Sequence, residues 1–399
     1  MLGPSPAYHV KIARLNDGER FALLVDGRTG LPVPETTRYS AVFRRSREGS
    51  VSTMVNELRA IAIAMNWVQH HGINLDQRVE GVHLFTQEEL LSLRDALRAH
   101  QHAWESARCQ LVVSSATHYQ RCLYVRDFIA WRTERAIHRI HEPVQYRAAN
   151  DRLAQFKRAF LTLLPSPKQR SREGLSPEAQ ARFREIIRPH HPENPFQRAH
   201  RERNYALLLL YFDLGMRLAE ALVLKGADLN LSPNQPTVTI HRRADDPSDR
   251  RSDPPLTKTA GRILPIGEEL RKALETFVLD HRRKYPGAKR TPFVFVSRTG
   301  NPIARRTVVD MFLQIKRRCP DLPPDLSAHI LRHSWNDRYS ELADELGMSE
   351  ADEVKTRSYL QGWKETSGRA VTYTKRSTRR QADKHILELQ RKSLRGANQ

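Results

Sequence analysis

The chain has 399 residues, of which 66 are Lys or Arg and 45 are Asp or Glu, so its formal net charge is +21. A charge excess of this size would make the folded chain repel itself unless a counter-charge is present, and it predicts a polyanionic partner, most simply nucleic acid. The length is sufficient for two or three domains, each with its own hydrophobic core.

The cysteines and the apolar runs exclude several classes of protein. Cys109, Cys122 and Cys319 are scattered along the chain, so neither a disulfide framework nor a zinc site is indicated, and a reducing compartment is expected. The longest apolar run, Tyr205 to Phe212, is too short to cross a bilayer, and the N-terminus lacks the apolar core of a signal peptide. We therefore expect a cytoplasmic protein with no membrane partner.

Residues 1–48 carry the signals of a small β-hairpin region. Alternating runs at His9 to Leu15, Phe21 to Val25 and Tyr39 to Phe43 are separated by Asn-Asp-Gly, Asp-Gly and Gly-Leu-Pro sequences, which are typical of turns. This region could bind accessory DNA sites or pack on the next domain, and we favour packing.

Residues 49–164 have the apolar periodicity of a four-helix domain. The second helix opens at Thr86 with a capping-box sequence, Thr-Gln-Glu-Glu. Basic and aromatic side chains alternate in the third helix, where Tyr124, Phe128 and Trp131 have the spacing of core residues. The candidates for contacts with DNA phosphates are Arg121, Arg126 and Arg132.

A basic, proline-rich linker is predicted over residues 165–175, and its candidate DNA contacts are Lys168, Arg170 and Arg172. Residues 176–376 begin with a capped helix start, Ser-Pro-Glu. Their pattern predicts a mixed α/β domain that is mostly helical and has a small antiparallel sheet. Residues 377–399 form a basic tail, which could be a docking helix or a frayed end.

Within residues 176–376, the strongly apolar helical stretch from Asn204 to Leu224 is interrupted at Gly215. Arg217 and Glu220 follow the break, three positions apart. Lys258 is the only lysine between Lys225 and Lys272. It lies between two runs of β-type residues, 237–241 and 263–266, and is therefore expected in a hairpin.

The stretch from His329 to Tyr373 carries the residues with the clearest chemistry. His329 and Arg332 are three apart and share a helix face, and His333 follows directly. A tyrosine phenol can attack a phosphodiester and form a covalent phosphotyrosine. Two guanidinium groups can stabilise the charge on the phosphate oxygens, a His can take the phenol proton, and a Lys can protonate the leaving oxygen.

These pieces resemble, in order, the motifs of the tyrosine recombinase, or phage integrase, family. They extend over about 160 residues, and their order makes the match far more specific than any one short motif. The matching pieces are Gly215-Met-Arg217-Leu-Ala-Glu220, Thr257-Lys258-Thr259, His329-Ile-Leu-Arg332-His333, Gly362-Trp363 and Tyr373.

The resemblance implies a role for each matching residue. Arg217 and Arg332 would clamp the scissile phosphate, and Lys258 would be the general acid. His329 would be a general base or a phosphate donor, and Trp363 stands where the family has His or Trp. Tyr373 would be the nucleophile, with Glu220 and His333 as supporting residues.

This chain departs from the family pattern in two places. Trp363 and Tyr373 are ten positions apart, one more than expected, and we expect a turn at Gly368 to absorb the extra residue. A polar insertion, residues 242–255, lengthens the hairpin of Lys258. We expect the lysine to lie on a mobile loop that becomes ordered on DNA.

The resemblance implies a site-specific recombinase, or integrase, that acts on double-stranded DNA without metal or other cofactor. It further implies a core-binding role for the four-helix domain, a homotetramer on paired sites, a possible accessory directionality factor, and association with the bacterial nucleoid as part of a mobile genetic element. Two alternatives are a type IB topoisomerase-like enzyme and a non-catalytic DNA-binding protein. A metal-dependent nuclease is disfavoured because no acidic cluster stands out.

Overall fold

The computed structural model describes residues 7–44, 51–99, 112–162, 164, 173–243, 246–257, 259–368, 370–374 and 386. The chain divides into two compact units, 1–170 and 171–399, and the division falls within the predicted linker. Each unit has its own hydrophobic core. Within the described ranges, no helix combines the length and the apolar character that crossing a membrane requires.

The first unit begins with the predicted hairpin. Strands β1 (Tyr8–Arg14) and β2 (Arg20–Asp26) pair in antiparallel register, and Ala22 and Leu24 of β2 belong to the core of this unit. The predicted third strand at Tyr39 to Phe43 is wrong. Helix α1 (Pro34–Tyr39) covers its start and a π-helical turn, residues 40–44, continues from it.

The aromatic ring of Tyr39 explains why the third run is helical. It is fully buried, it packs edge-on against Phe128 and Trp131, and its hydroxyl donates to Glu57 Oε1 at 2.9 Å. Pro34, at the start of α1, has a backbone angle that suits the first helical turn. These tertiary contacts outweigh the local alternation that indicated a strand.

The four predicted helices of this unit are present, and a short additional helix precedes the second of them. The capping box at Thr86 is formed in both directions, with Glu89 as its partner, and Phe128 and Trp131 are core residues as predicted. The helices are α2 (Val51–His70), α3 (Leu75–Glu80), α4 (Gln87–Arg98), α5 (Ser115–Ile137) and α6 (Pro143–Thr162).

The second unit is mostly helical with one small sheet, as predicted. Its strands are β3 (Leu229–Asn230), β4 (Thr237–Ile240) and β5 (Arg262–Pro265), which form an antiparallel sheet in the order β3-β4-β5. Its helices are α7 (Pro177–Ile186), α8 (Arg201–Asp213), α9 (Leu218–Leu222), α10 (Glu268–Thr276), α11 (Arg305–Arg318), α12 (Ala328–Glu345) and α13 (Glu350–Gln361).

Helix α8 lies at the centre of the second core, and its residues from Ala206 to Tyr211 have no exposed surface. Such a helix is apolar on all sides because it is covered on all sides. It ends at Asp213. Gly215, two residues further on, has a φ of +58°, and a Cβ there would come within 2.9 Å of the Trp335 ring. The glycine therefore lets the chain turn sharply against α12, and this turn brings Arg217 to the start of α9.

Several predicted features lie partly or wholly outside the described residues. Lys258 and the linker candidates Lys168, Arg170 and Arg172 are among them, as is the tail after residue 374 apart from Ile386. The described part of the insertion is attached to the body of the unit. Arg243 donates to Asp228 at 2.6 Å, and Lys225 pairs with Asp246 at 2.7 Å.

Candidate active site

The guanidinium groups of Arg217 and Arg332 converge on one backbone carbonyl. Arg217 Nη1 donates to Gln361 O at 2.9 Å, and Arg332 Nη2 donates to the same oxygen at 3.2 Å. Arg332 Nη1 also donates to Gly215 O at 2.6 Å. Three separate segments, namely the turn after α8, helix α12 and the end of α13, are therefore needed to hold the two arginines together.

Glu220, which is fully buried, connects this pair to the sheet. Its carboxylate accepts from Arg217 Nη1 at 3.2 Å and from Arg262 Nη2 at 3.0 Å, and Thr259 Oγ1 donates to it at 2.7 Å. Arg262 lies on β5 and donates from Nε to Leu360 O at 2.7 Å. Glu220 thus contacts Arg217, and its supporting role in the site stays a prediction. Arg262 is an additional member of this network that the sequence analysis did not assign.

The charges around Glu220 set its ionisation. Burial by itself would raise its pKa, but the charge and hydrogen bonds of Arg262, together with the charges of Arg332 and Arg217, lower the pKa to about 2. Burial and the charge of Arg217 lower the pKa of Arg332 to about 9, so its guanidinium remains protonated at neutral pH. The site therefore holds a carboxylate among three cationic arginines.

Tyr373 is connected to Arg332 through the ring of Trp363. The Trp363 ring is parallel to the Tyr373 ring within 9°, with centroids 5.6 Å apart, and Arg332 Cζ lies 5.2 Å from the Trp363 ring. Gly368 has a φ of +62° after a short 3-10 turn, residues 365–367, and residues 370–374 are helical. The expected turn at Gly368 is therefore confirmed, and it returns Tyr373 to Trp363.

The hydroxyl of Tyr373 has a histidine partner, and that partner is His333. Tyr373 Oη lies 2.9 Å from His333 Nδ1. His333 Nε2 in turn lies 3.1 Å from His329 Nε2. His329 is exposed, whereas His333 and Tyr373 are half-buried. His333, which the resemblance placed in a supporting role, therefore has contacts with both His329, the predicted base, and Tyr373, the predicted nucleophile.

A fourth arginine, Arg357, was also missed. It is completely buried, and its Cζ lies 5.1 Å from the Tyr339 ring and 5.7 Å from the Tyr373 ring. Arg357 Nη2 donates to Ser340 Oγ at 2.7 Å and pairs with Glu353. Burial lowers its pKa, and the charges of Glu353 and of an ionised Tyr373 act in the opposite direction. A phenolate at Tyr373 would thus be stabilised by a nearby cation.

Of the two other tyrosines of this region, Tyr339 packs as predicted, whereas Tyr359 is 58% exposed and the packing role predicted for it is wrong. Tyr339 stacks on Trp335 with centroids 5.2 Å apart, and its hydroxyl lies 2.6 Å from Thr356 Oγ1. The Tyr359 hydroxyl is directed to Ile263 O at 3.5 Å. Neither hydroxyl contacts a histidine in the described part of the chain.

The predicted phosphate contacts of the first unit have partners inside that unit. Arg121 donates to Leu97 O at 2.9 Å and Ala99 O at 3.0 Å. Arg126 pairs with the adjacent Asp127 at 2.6 Å, and Arg132 pairs with Asp76. These arginines would have to exchange internal partners for phosphate, so their DNA-binding role stays a prediction.

The network around Glu220 has a pH-dependent effect on stability, which we predict for Glu220→Gln. Because the pKa of Glu220 lies near 2 instead of its ordinary 4.5, its contribution to stability is complete above about pH 4.5 and is lost as the pH falls towards 2. The variant should have a free energy of unfolding lower by about 3 kcal/mol at pH 7. That difference should shrink between pH 4.5 and pH 3 in denaturant titrations.

The matched control is Glu345→Gln, because Glu345 is exposed near the end of α12. This variant should unfold like the unsubstituted protein at every pH. A stability difference for Glu220→Gln that stays constant from pH 7 to pH 3 would contradict the role of the Glu220 charge.

Comparison with known proteins gives matches to a family model and to tyrosine recombinases. Residues 189–344 match the model of the phage integrase family. Over 138 residues, the chain is 27% identical to the tyrosine recombinase XerD of Halalkalibacterium halodurans, and over 137 residues it is 27% identical to the tyrosine recombinase XerC of Bacillus pumilus. These matches cover 33% and 34% of this chain, and the chain spans 39% of each relative's length.

Matches to solved structures cover a larger share of this chain. XerH recombinase bound to palindromic difH substrate, in a post-cleavage complex, is 15% identical with a TM-score of 0.46, and the match covers 85% of this chain and 80% of that one. The Tn1549 transposon integrase with transposon right end DNA is 15% identical with a TM-score of 0.44, covering 82% and 99%. The matched residues 189–344 hold Arg217, Glu220, His329 and Arg332 of the candidate site, so this part of the chain is similar to the phage integrase family.

Proposed function

We propose that the protein is a site-specific DNA recombinase that cuts and rejoins DNA strands through a covalent 3′-phosphotyrosine at Tyr373. One observation carries this proposal: the Tyr373 ring stacks on Trp363, and Trp363 in turn contacts Arg332, which converges with Arg217 on a single carbonyl oxygen. A nucleophile next to such a pair of bidentate donors suits attack on a phosphodiester.

The proposed cleavage begins when the scissile phosphate binds Arg217 and Arg332. Their charge offsets the negative charge that builds up on the non-bridging oxygens in the transition state. Trp363 Nε1 is a buried donor without a hydrogen-bond partner among the described residues, and it could bind the same phosphate. The Tyr373 oxygen attacks phosphorus, a histidine of α12 takes its proton, and Lys258 protonates the leaving 5′ oxygen.

The substrate and assembly follow from this chemistry and the chain's charge. The net charge of +21 suits double-stranded DNA, and the phosphotyrosine conserves the energy of the cut bond for rejoining. Exchange of strands between two DNA sites needs four cuts, so we propose a homotetramer on paired attachment sites, with an accessory factor to set direction. Integration or excision of a mobile genetic element is the process that such a reaction serves.

The nucleophile is tested by Tyr373→Phe. Because the substitution removes only the attacking oxygen, it should abolish covalent attachment to a nicked suicide substrate, as seen by a shifted band on a denaturing gel. Binding of the same DNA should stay near normal.

The controls for this substitution are Tyr339→Phe and Tyr359→Phe, which should both retain attachment. Loss of attachment in either control, with attachment preserved in Tyr373→Phe, would show that the nucleophile is misassigned.

The absence of a metal requirement is tested with a chelator. Arg217 and Arg332, with Lys258 and the histidines of α12, supply the positive charge and the protons for which a nuclease uses metal ions. Cleavage of the suicide substrate should therefore proceed at an unchanged rate in excess EDTA. Activity that disappears with EDTA and returns with added Mg²⁺ would instead indicate a metal-dependent nuclease.

The general acid is tested by Lys258→Ala on two substrates. Cleavage of ordinary DNA should slow by roughly 10²-fold or more, the usual size of such an effect. A substrate with sulfur in place of the bridging 5′ oxygen has a leaving group that needs no proton, so the variant should recover most of its rate there.

The matched variants are Arg217→Ala and Arg332→Ala, which should be slow on both substrates because they lose stabilisation of the non-bridging oxygens. Equal defects for Lys258→Ala on the two substrates would mean that the lysine only positions the phosphate.

A further inference from the structure

We propose that the polar insertion between β4 and β5, residues 242–255, is a positioning element for strand cleavage, which holds the segment of Lys258 in a fixed relation to Arg217. This inference rests on the proposed function, in which both residues act on one phosphodiester. It assigns positioning roles to Arg243 and Thr257. Lys258 lies outside the described residues, and its neighbours carry the evidence.

Both neighbours of the lysine in the sequence are buried threonines that bond to other segments. Thr257 Oγ1 donates to His241 O at 3.1 Å and accepts from the backbone amide of Arg243 at 3.0 Å. Thr259 Oγ1 donates to Glu220 at 2.7 Å. The bonds of Thr257 close the insertion into a loop of its own, so the chain is fastened on both sides of the lysine.

The start of the insertion is anchored to the rest of the unit through Arg243. Its guanidinium forms two hydrogen bonds with the carboxylate of Asp228, of 2.6 and 2.7 Å, and Nη1 also donates to Val223 O at 3.3 Å. Asp228 is buried and accepts in addition from the backbone amide of Lys225 at 2.8 Å. A bidentate pair of this kind fixes both the position and the plane of the guanidinium. Thr257, which bonds to the Arg243 amide, is therefore tied to a fixed point.

The middle of the insertion is anchored through Arg251. Its Nη2 pairs with Asp249 Oδ2 at 2.6 Å, and both side chains are largely buried. Its Nη1 donates to Leu222 O at 3.2 Å and to Ile303 O at 2.8 Å, and its Cζ lies 5.1 Å from the Phe293 ring. Because burying charged groups is costly unless they are paired, these contacts indicate that the insertion has a defined seat on the unit.

The seat of the insertion is the C-terminal end of α9. Arg243 and Arg251 donate to the carbonyls of the last residue of α9 and of the residue after it. Carbonyls at this end of a helix lack partners within the helix, and arginine side chains can supply the missing donors. The same helix begins at Arg217, and Thr259 is bonded to it through Glu220. The insertion and Thr259 thus fasten the lysine's segment to the helix that carries Arg217.

This arrangement couples two parts of the proposed site. Protonation of the leaving oxygen requires the lysine to lie within hydrogen-bond reach of an atom whose position is set by the bound phosphate, and hence by Arg217 and Arg332. A displacement of about 1 Å in such a placement can cost roughly 10²-fold in rate. An insertion that is seated on α9 would therefore keep the general acid in register with the arginines that bind the phosphate.

The experiment measures covalent attachment to the nicked suicide substrate for Thr257→Val and Arg243→Ala. The first substitution removes a hydroxyl and keeps the shape of the side chain, and the second removes the anchor to Asp228. Each should slow attachment to ordinary DNA by roughly 10-fold, the scale of a misplaced catalytic group. Most of that defect should disappear on the substrate with a bridging 5′ sulfur, because the position of the acid does not matter where no acid is needed.

The matched control is Arg250→Ala, which removes the same charge from the same insertion at an exposed position. It should attach as fast as the unsubstituted protein on both substrates, which separates loss of the anchor from a general loss of attraction to DNA. Thermal unfolding shows whether the variants fold. Thr257→Val decides the question if Arg243→Ala does not fold, since it leaves the pair with Asp228 in place.

A double variant tests whether the anchors act through the lysine. Thr257→Val combined with Lys258→Ala should be no slower on ordinary DNA than Lys258→Ala alone, because a positioning residue then has nothing left to position. Defects that multiply in the double variant would overturn the inference. So would a folded Thr257→Val that attaches to ordinary DNA at the unsubstituted rate, or one that is equally slow on both substrates while sulfur rescues Lys258→Ala.

Failure of the proposed function has a different signature. The unsubstituted protein would form no covalent DNA adduct, or Tyr373→Phe would still form one, and either result would overturn the proposed function and this inference with it. If Lys258→Ala is equally slow on both substrates, the lysine is not the acid. The double variant then still decides whether the insertion positions it.

Discussion

The site depends on one buried carboxylate. Glu220 has no exposed surface, and removing its charge from water carries a large cost that only matched cations can offset. Arg217, Arg262 and Thr259 supply hydrogen bonds to it, and they come from two parts of the chain, the turn after α8 and the start of β5. The sheet, the turn after α8 and helix α9 must therefore come together for Glu220 to be buried at all. The stability of the fold and the orientation of the arginines therefore both depend on the burial of Glu220.

The Gln361 carbonyl offsets the repulsion between two neighbouring arginines. Arg217 and Arg332 repel one another, yet the proposed binding of a phosphate between them requires that they stay close. Their hydrogen bonds to the same carbonyl oxygen provide a fixed partial negative charge between the two cations. In the proposed reaction, a phosphate that approaches this pair would find donors already in place, so little reorganisation would be needed when charge develops. The end of α13 therefore belongs to the site although its residues carry no formal charge there.

Tyr373, the proposed nucleophile, is oriented by stacking on one face of its ring and by a hydrogen bond at its hydroxyl. Trp363 fixes the plane of the Tyr373 ring, and His333 fixes the direction of the hydroxyl. Gly368 has a left-handed backbone conformation, and the turn there accommodates the extra residue between Trp363 and Tyr373. The longer spacing is thus accommodated locally, without displacement of the tyrosine from the tryptophan ring.

The sequence by itself determined the helical first unit, the capping box at Thr86, the hairpin strands around Lys258 and the residue types of the site, because these follow from local periodicity and from short motifs. It did not determine that Tyr39 is helical, since burial of its ring against α5 outweighs local alternation. Nor did it identify Arg262, Arg357 or the Gln361 carbonyl, or show that His333 contacts Tyr373. Their contacts join segments that are separated in the sequence, and only tertiary packing decides which of these side chains meet.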